Sequence, residues 1–217
     1  MKPSAPKEIP FYPNHPDNMH CMLAAYKSIF DYFENKKLSW EELEELTGFE
    51  NGRAAWTVKA LTAMAKGSYD IKMVEPFDYG RYVEEGVGYL KDLFSPEKLE
   101  WMLEHSNILE MPAYIPDFLK AVRYECRSAT NDDIAHMLSE GRLVFVTLDS
   151  RTLNDETGYS DHAVLIIDED GEDFIMHDPG YPPQPYRRVS KAKLHAARGG
   201  DGATGEVTGF KLKQTNS

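Results

Sequence analysis

Three side chains in this 217-residue sequence are of types that can combine into one reactive group: Cys21, His162 and Asp178. A thiolate is a nucleophile, a histidine can take and return a proton near neutral pH, and a carboxylate beside it fixes its tautomer and stabilises the imidazolium. Cys21 reads as lying in the first turn of a helix, where free N–H groups and the helix dipole favour an anion. That effect, about 0.3–1 kcal/mol, moves a thiol pKa by less than about one unit, so a reactive cysteine needs a positive charge nearby as well. His162 can supply it. The runs AVLIID (163–168) and DFIMHD (173–178) flank Asp170–Gly171, a pair that suits the tight turn of a hairpin. Reversal there sets 163 across from 178 and 162 across from 179, making His162 and Asp178 neighbours on adjacent strands. The roles follow: Cys21 as nucleophile, His162 as base and then acid, Asp178 as the group that orients it. No local argument of this kind fixes the Cys21–His162 contact.

The elements that must position these residues are legible in part. Residues 1–16 carry five prolines and read as an extended lead-in. A first helix begins near Asp17–Asn18, with Met22, Tyr26, Ile29, Phe30 and Phe33 as its apolar stripe, and ends at Asn35–Lys36. Ser39 and Glu42 form a capping box for a second helix that closes at Gly48. A third helix is predicted across 54–66 and a strand across 68–75. The segment 76–120 is rich in aromatics, with helical pieces near 83–94 and 96–105. A helix over 131–140, with Asn131 as cap and Gly141 as stop, leads to the strand LVFVTLD (143–149). A polar loop (150–161) precedes His162 and is expected to border substrate. The hairpin follows, then a helix at 191–197 and a strand at 205–213. Helices first and antiparallel strands later define an α+β chain in one domain, 1–217.

Each of these residues also has a plainer reading. A free cysteine is most often a small buried hydrophobe, and an aspartate in Asp-Pro-Gly is often only a turn former. Cys126 has basic neighbours, yet no histidine–acid hairpin lies near it in the sequence. His15, His20 and Cys21 invite a zinc site, but residues 20 and 21 point about 100° apart on a helix, and no metal is expected.

Composition narrows the partners. The hydrophobic content of 41 % and aromatic content of 12 % fit a folded core, and the net charge of -12 disfavours nucleic acid and anionic lipid. A cationic or neutral peptide or small amide suits such a chain better. No signal-peptide-like or membrane-spanning run is present, and two widely spaced cysteines make no disulfide framework, so a reducing, cytoplasmic setting is expected. There is no GxGxxG and no Walker loop, and no cofactor is expected.

The order Cys, His, Asp, with the cysteine opening an N-terminal helix and the histidine opening a later strand, resembles papain-like cysteine peptidases. Within these, DHAVLIIDEDGEDFIMHDPG is similar to the His-(apolar)-Asp-Pro-Gly hairpin of bacteriocin-processing (double-glycine leader) peptidases. IAHMLSEGRLVFVTLD, SWEELEELTG and YRRVSKAKL also resemble segments of that family, so the likeness covers roughly 14–70 and 131–213. It implies a papain-like fold, N-terminal helices packed on a C-terminal antiparallel sheet, and hydrolysis of a peptide bond through a thioacyl intermediate. Two departures stand out. The family's oxyanion-hole glutamine, six residues before the cysteine, is His15 here; Asn14, His15 or Asn18 would have to donate in its place, Asn14 first. Met22–Leu23 replaces the usual Gly-Pro after the cysteine. Acyl transfer by the same trio, or peptide binding without cleavage, are the alternatives. Residues 76–120 read as an insert that could roof the cleft or recruit a partner.

Overall fold

The computed structural model describes residues 8–199 and 205–214; residues 1–7 of the expected lead-in lie outside that range. Among the described residues the architecture is α+β, built on an open, mixed seven-stranded sheet in the order β2-β1-β7-β3-β4-β5-β6. Its strands are β1 (Tyr69–Glu75), β2 (Arg123–Cys126), β3 (Leu143–Asp149), β4 (Asp161–Asp170), β5 (Asp173–Asp178), β6 (Gln184–Ser190) and β7 (Val207–Leu212). The sheet is not confined to the C-terminal half and is not wholly antiparallel. β1 joins it from the N-terminal half, beside β7, and pairs in parallel with β2.

Both faces of the sheet are covered, which is why β3 is apolar at nearly every position instead of alternating. One face packs Phe145, Ala163, Leu165 and Phe210 against α1 (Cys21–Glu34) and α3 (Val58–Lys66), with Tyr26 stacked on Phe145 at 5.6 Å. The other packs Val144, Val146, Val164 and Ile166 against α8 (Asn131–Ser139) and α10 (Lys191–Arg198). Between α1 and α3 lies α2 (Trp40–Thr47), with the Ser39–Glu42 capping box in place and Gly48 in the left-handed region that ends it. The expected helix over 131–140 starts from Thr130, not Asn131: the Thr130 hydroxyl and Asp133 form the capping box.

Three boundaries differ from expectation for local reasons. α1 starts at Cys21 because Asn18 holds a left-handed φ of 62° in a turn closed by its N–H on the His15 carbonyl. α3 starts at Val58, since Ala54 is drawn into a bridge with Ser106 and the Trp56 N–H is held by Asn107. The helix expected over 83–94 is two, α4 (Tyr79–Glu85) and α5 (Val87–Leu93), parted where Gly86 turns to φ 58°, ψ −131°. Beyond them α6 (Pro96–His105), a 3-10 turn (Ile108–Ala113) and α7 (Ile115–Ala121) complete the helical layer over this part of the chain. The 150–161 stretch is not all loop: Asp149 accepts from the Arg151 and Thr152 N–H groups and caps the short α9 (Ser150–Leu153).

The β4–β5 hairpin forms as expected, but in another register. Near the turn Asp170 pairs with Asp173 and Asp168 with Ile175; beyond a bulge at residue 167, Ile166 pairs with Met176 and Leu165 with His177. The extra residue matters. Without it Asp178 would fall across from Leu165, on the face away from His162. With it, Asp178 falls across from Val164, two residues from His162 and on the same side of the pleat.

Candidate active site

Cys21, His162 and Asp178 come together at the start of α1 and the open ends of β4 and β5. His162 Nε2 lies 2.7 Å from Asp178 Oδ1, and both side chains are largely enclosed, at 10 % and 6 % exposure. With Nε2 committed to the carboxylate, Nδ1 is left for Cys21, whose side chain is a hydrogen-bond neighbour of the ring. Burial alone would lower the imidazole pKa. The hydrogen bonds and charges of Asp178 and Cys21 outweigh it and raise the group from 6.5 to about 10. Burial likewise works against the Asp178 carboxylate, yet bonds from His162, the Gly180 N–H and Arg187 bring it down to about 2. A histidine held protonated beside a carboxylate held ionised is the pairing that stabilises a neighbouring thiolate.

Two supports of this pair escaped the sequence reading. Arg187, on β6, donates Nη1 to Asp178 Oδ2 at 2.7 Å and Nη2 to Asn154 Oδ1 at 2.8 Å. The 150–160 stretch thus buttresses the triad from behind, and of residues 150–161 only Asp161 lines the cleft. Gly180 donates its N–H to Asp178 Oδ1 at 2.9 Å, and a Cβ there would sit 3.0 Å from that oxygen and 3.3 Å from His162 Nε2. The cis peptide bond between Tyr181 and Pro182 follows directly.

Of the three residues considered for the oxyanion hole, only Asn18 lines the cleft with Cys21. The preference for Asn14 is corrected: it is buried, its Oδ1 accepts the His20 N–H and its Nδ2 donates to Asn18 Oδ1. His15 turns instead toward His20 and Trp40. His15, Asp17 and His20 are the one group among the described residues whose ligand atoms lie close enough to hold an ion. Both nitrogens of His20 are already bonded to carboxylates, Nδ1 to Asp17 and Nε2 to Glu44, each at 2.9 Å. His15 Nδ1 lies 3.0 Å from Asp17 Oδ2. These contacts account for the cluster as a brace under the start of α1.

The cleft in front of Cys21 and His162 encloses about 310 Å3. Phe49 and Trp56 form one side; Phe94, Lys98, Trp101 and Met102, from the end of α5 to α6, form another; Phe145, Thr147 and Ala163 of the sheet lie between. The aromatic segment 76–120 therefore contributes a wall. Glu206, just before β7, also lines the cleft and was not foreseen, although it shares strand parity with Thr208 and the core residue Phe210. Comparison with protein-family models and with curated proteins finds no match to this chain.

Proposed function

We propose that the protein is a cysteine hydrolase of papain-like fold, related to the double-glycine leader peptidases, that cleaves an amide bond, most simply in a peptide. The observation that carries this reading is the bonding of His162: Asp178 on Nε2, Cys21 beside the ring, all at the edge of a partly open, largely apolar cleft. Cys21 Sγ attacks the scissile carbonyl carbon. His162 then gives its proton to the leaving amine, and the thioacyl ester is hydrolysed by a water that His162 deprotonates. Negative charge on the carbonyl oxygen is met by the Cys21 N–H, one of the donors that the first turn of α1 leaves without an intrahelical acceptor, and by the Asn18 amide. Asn14 positions that amide by donating to Asn18 Oδ1, so that Asn18 Nδ2 serves the cleft.

Both cysteines are free thiols, and among the described residues no helix is long and apolar enough to cross a membrane. A reducing, cytoplasmic setting fits this chemistry. The test is alkylation of the folded protein by iodoacetamide near pH 6, read by mass spectrometry. Cys21 should react about tenfold or more faster than the exposed Cys126, and His162→Ala should remove the difference. Equal, slow labelling of both cysteines would rule the reading out.

A further inference from the structure

Two walls of the cleft come from stretches of chain that are tied to each other. The Ala54 N–H donates to the His105 carbonyl at 2.7 Å, and the Asn107 N–H donates to the Ala54 carbonyl at 3.1 Å. The Trp56 N–H donates to Asn107 Oδ1 at 2.8 Å, and Arg53 Nη2 to the Ser106 carbonyl at 2.8 Å. Ser106 and Asn107 are both buried. The end of α6 is thereby fixed to the run before α3, with Trp56 in one wall and Phe94, Trp101 and Met102 in another. The second wall belongs to the segment 76–120, outside the stretches whose sequence resembles the leader peptidases. Polar side chains of the lining are engaged within the protein. Arg53 also bonds Glu50, Thr57 donates to Glu206, the Ser106 hydroxyl donates to the Met102 carbonyl, and Lys98 lies over the Tyr159 ring.

What this cleft offers a ligand is apolar surface, the two walls standing over Phe145 and Ala163 of the sheet beside His162. Trp101 is 51 % exposed, and Met19, also in the lining, is exposed too. Apolar surface left in water around a cleft marks a place that a ligand covers. Resting on the hydrolase reading above, we propose that the cleft selects a substrate with a large apolar side chain, aromatic for preference, at or next to the scissile amide. Trp101 is the residue that sets this choice. Cys21 and His162 line the same cavity of about 310 Å3, and an extended chain advances about 3.3 Å per residue. A side chain held there therefore belongs to a residue close to the carbonyl that Cys21 attacks. A double glycine at the cut would leave the rings of both walls facing water, whereas an aromatic ring buries them and itself.

The test compares two thiol reagents, N-methyl- and N-benzyl-iodoacetamide, which share the reacting carbon and differ by one phenyl ring on the arm. The arm is free to enter the cleft whichever side of the scissile bond the selected residue occupies. Below saturation, the benzyl reagent should label Cys21 about tenfold or more faster than the methyl reagent, while the exposed Cys126 takes both within about twofold. Trp101→Ala should cut the Cys21 ratio by about threefold or more, and Trp101→Phe should restore most of it. Labelling of Cys21 by the methyl reagent should stay the same in both variants. Should the alanine variant fail to fold, the wild-type ratio decides. A ratio at Cys21 no larger than at Cys126, or one that Trp101→Ala leaves intact, overturns this inference. The hydrolase reading survives either result as long as Cys21 outpaces Cys126 with the methyl reagent. Labelling of Cys21 no faster than Cys126 by either reagent overturns both.

Discussion

Two carboxyl groups serve one cleft and are treated in opposite ways. Asp178 stands behind His162 at the end of β5, buried but held by an imidazolium, an arginine and a backbone N–H, and its carboxyl falls to about 2. Glu206 stands in the cleft lining before β7, buried with two threonine hydroxyls on its carboxyl and Glu75 and Asp161 among the acids near it, and it rises to about 7. The same functional group is thus fixed as an anion in one place and left able to gain or lose a proton in the other. The difference lies in the surroundings: bonds from charged donors hold the Asp178 carboxylate ionised beside His162, whereas burial beside hydroxyls and other acids brings the Glu206 carboxyl into the neutral range.

The sharpest way to break the comparison is to remove the saturated carboxylate. Asp178→Ala frees the His162 ring and strands Arg187, and amide hydrolysis should fall by about 10²–10⁴-fold. Asp178→Asn should lose nearly as much, because one oxygen of Asp178 accepts from Nε2 and the Gly180 N–H and the other from Arg187, so the new NH2 group meets a donor whichever way it turns. An Asp178→Asn protein of undiminished rate would mean that the bond to His162 is not what Asp178 contributes.

Stability against pH separates the two acids by sign. The folded-state pKa of Asp178 lies below its ordinary 3.8, so its contribution is present above that value and is lost as pH falls toward 2. For Glu206 the folded value lies above its ordinary 4.5. Its contribution is complete below 4.5 and is lost as pH rises through 7, at up to about 1.4 kcal/mol per pH unit. Urea midpoints measured across this range should show Asp178→Asn flattening the limb below pH 4 and Glu206→Gln making the decline from 4.5 to 7 shallower. A Glu206→Gln curve parallel to the wild type would place the titrating acid elsewhere.

Much of this site was legible in the sequence because local chemistry dictated it. Asp170–Gly171 announced the hairpin, and LVFVTLD announced a strand buried on both faces. What the residues did not announce was the bulge at Ile167. It changes no residue type, yet it moves Asp178 onto the face of His162. β2 and β6 were not foreseen for a different reason. As the two edges of the sheet they are largely exposed, with Arg123, Glu125, Arg187 and Arg188 where an apolar alternation would have marked a strand. Arg187 escaped notice with its strand. Asn18 was weighed below Asn14 because a left-handed turn before the helix cannot be read from spacing.

The smallest expected effect comes from Gly180, and it asks how tightly the His162–Asp178 bond is set. A methyl group at this position meets Asp178 Oδ1 at 3.0 Å and His162 Nε2 at 3.3 Å, closer than such contacts ordinarily settle. Both groups sit in crowded surroundings, and Arg187 pins the far oxygen of the carboxylate. The room to yield therefore lies along the His–Asp bond itself. Gly180→Ala should lower kcat by about tenfold, less than the loss of the carboxylate, since a misplacement well under about 1 Å is involved. KM should change little, because Gly180 does not line the cleft, and the N–H bond to Asp178 is retained. An unchanged kcat would show slack in the pair that orients His162. An equal fall in kcat and rise in KM would show that the Asp-Pro-Gly turn shapes the cleft as well as the histidine.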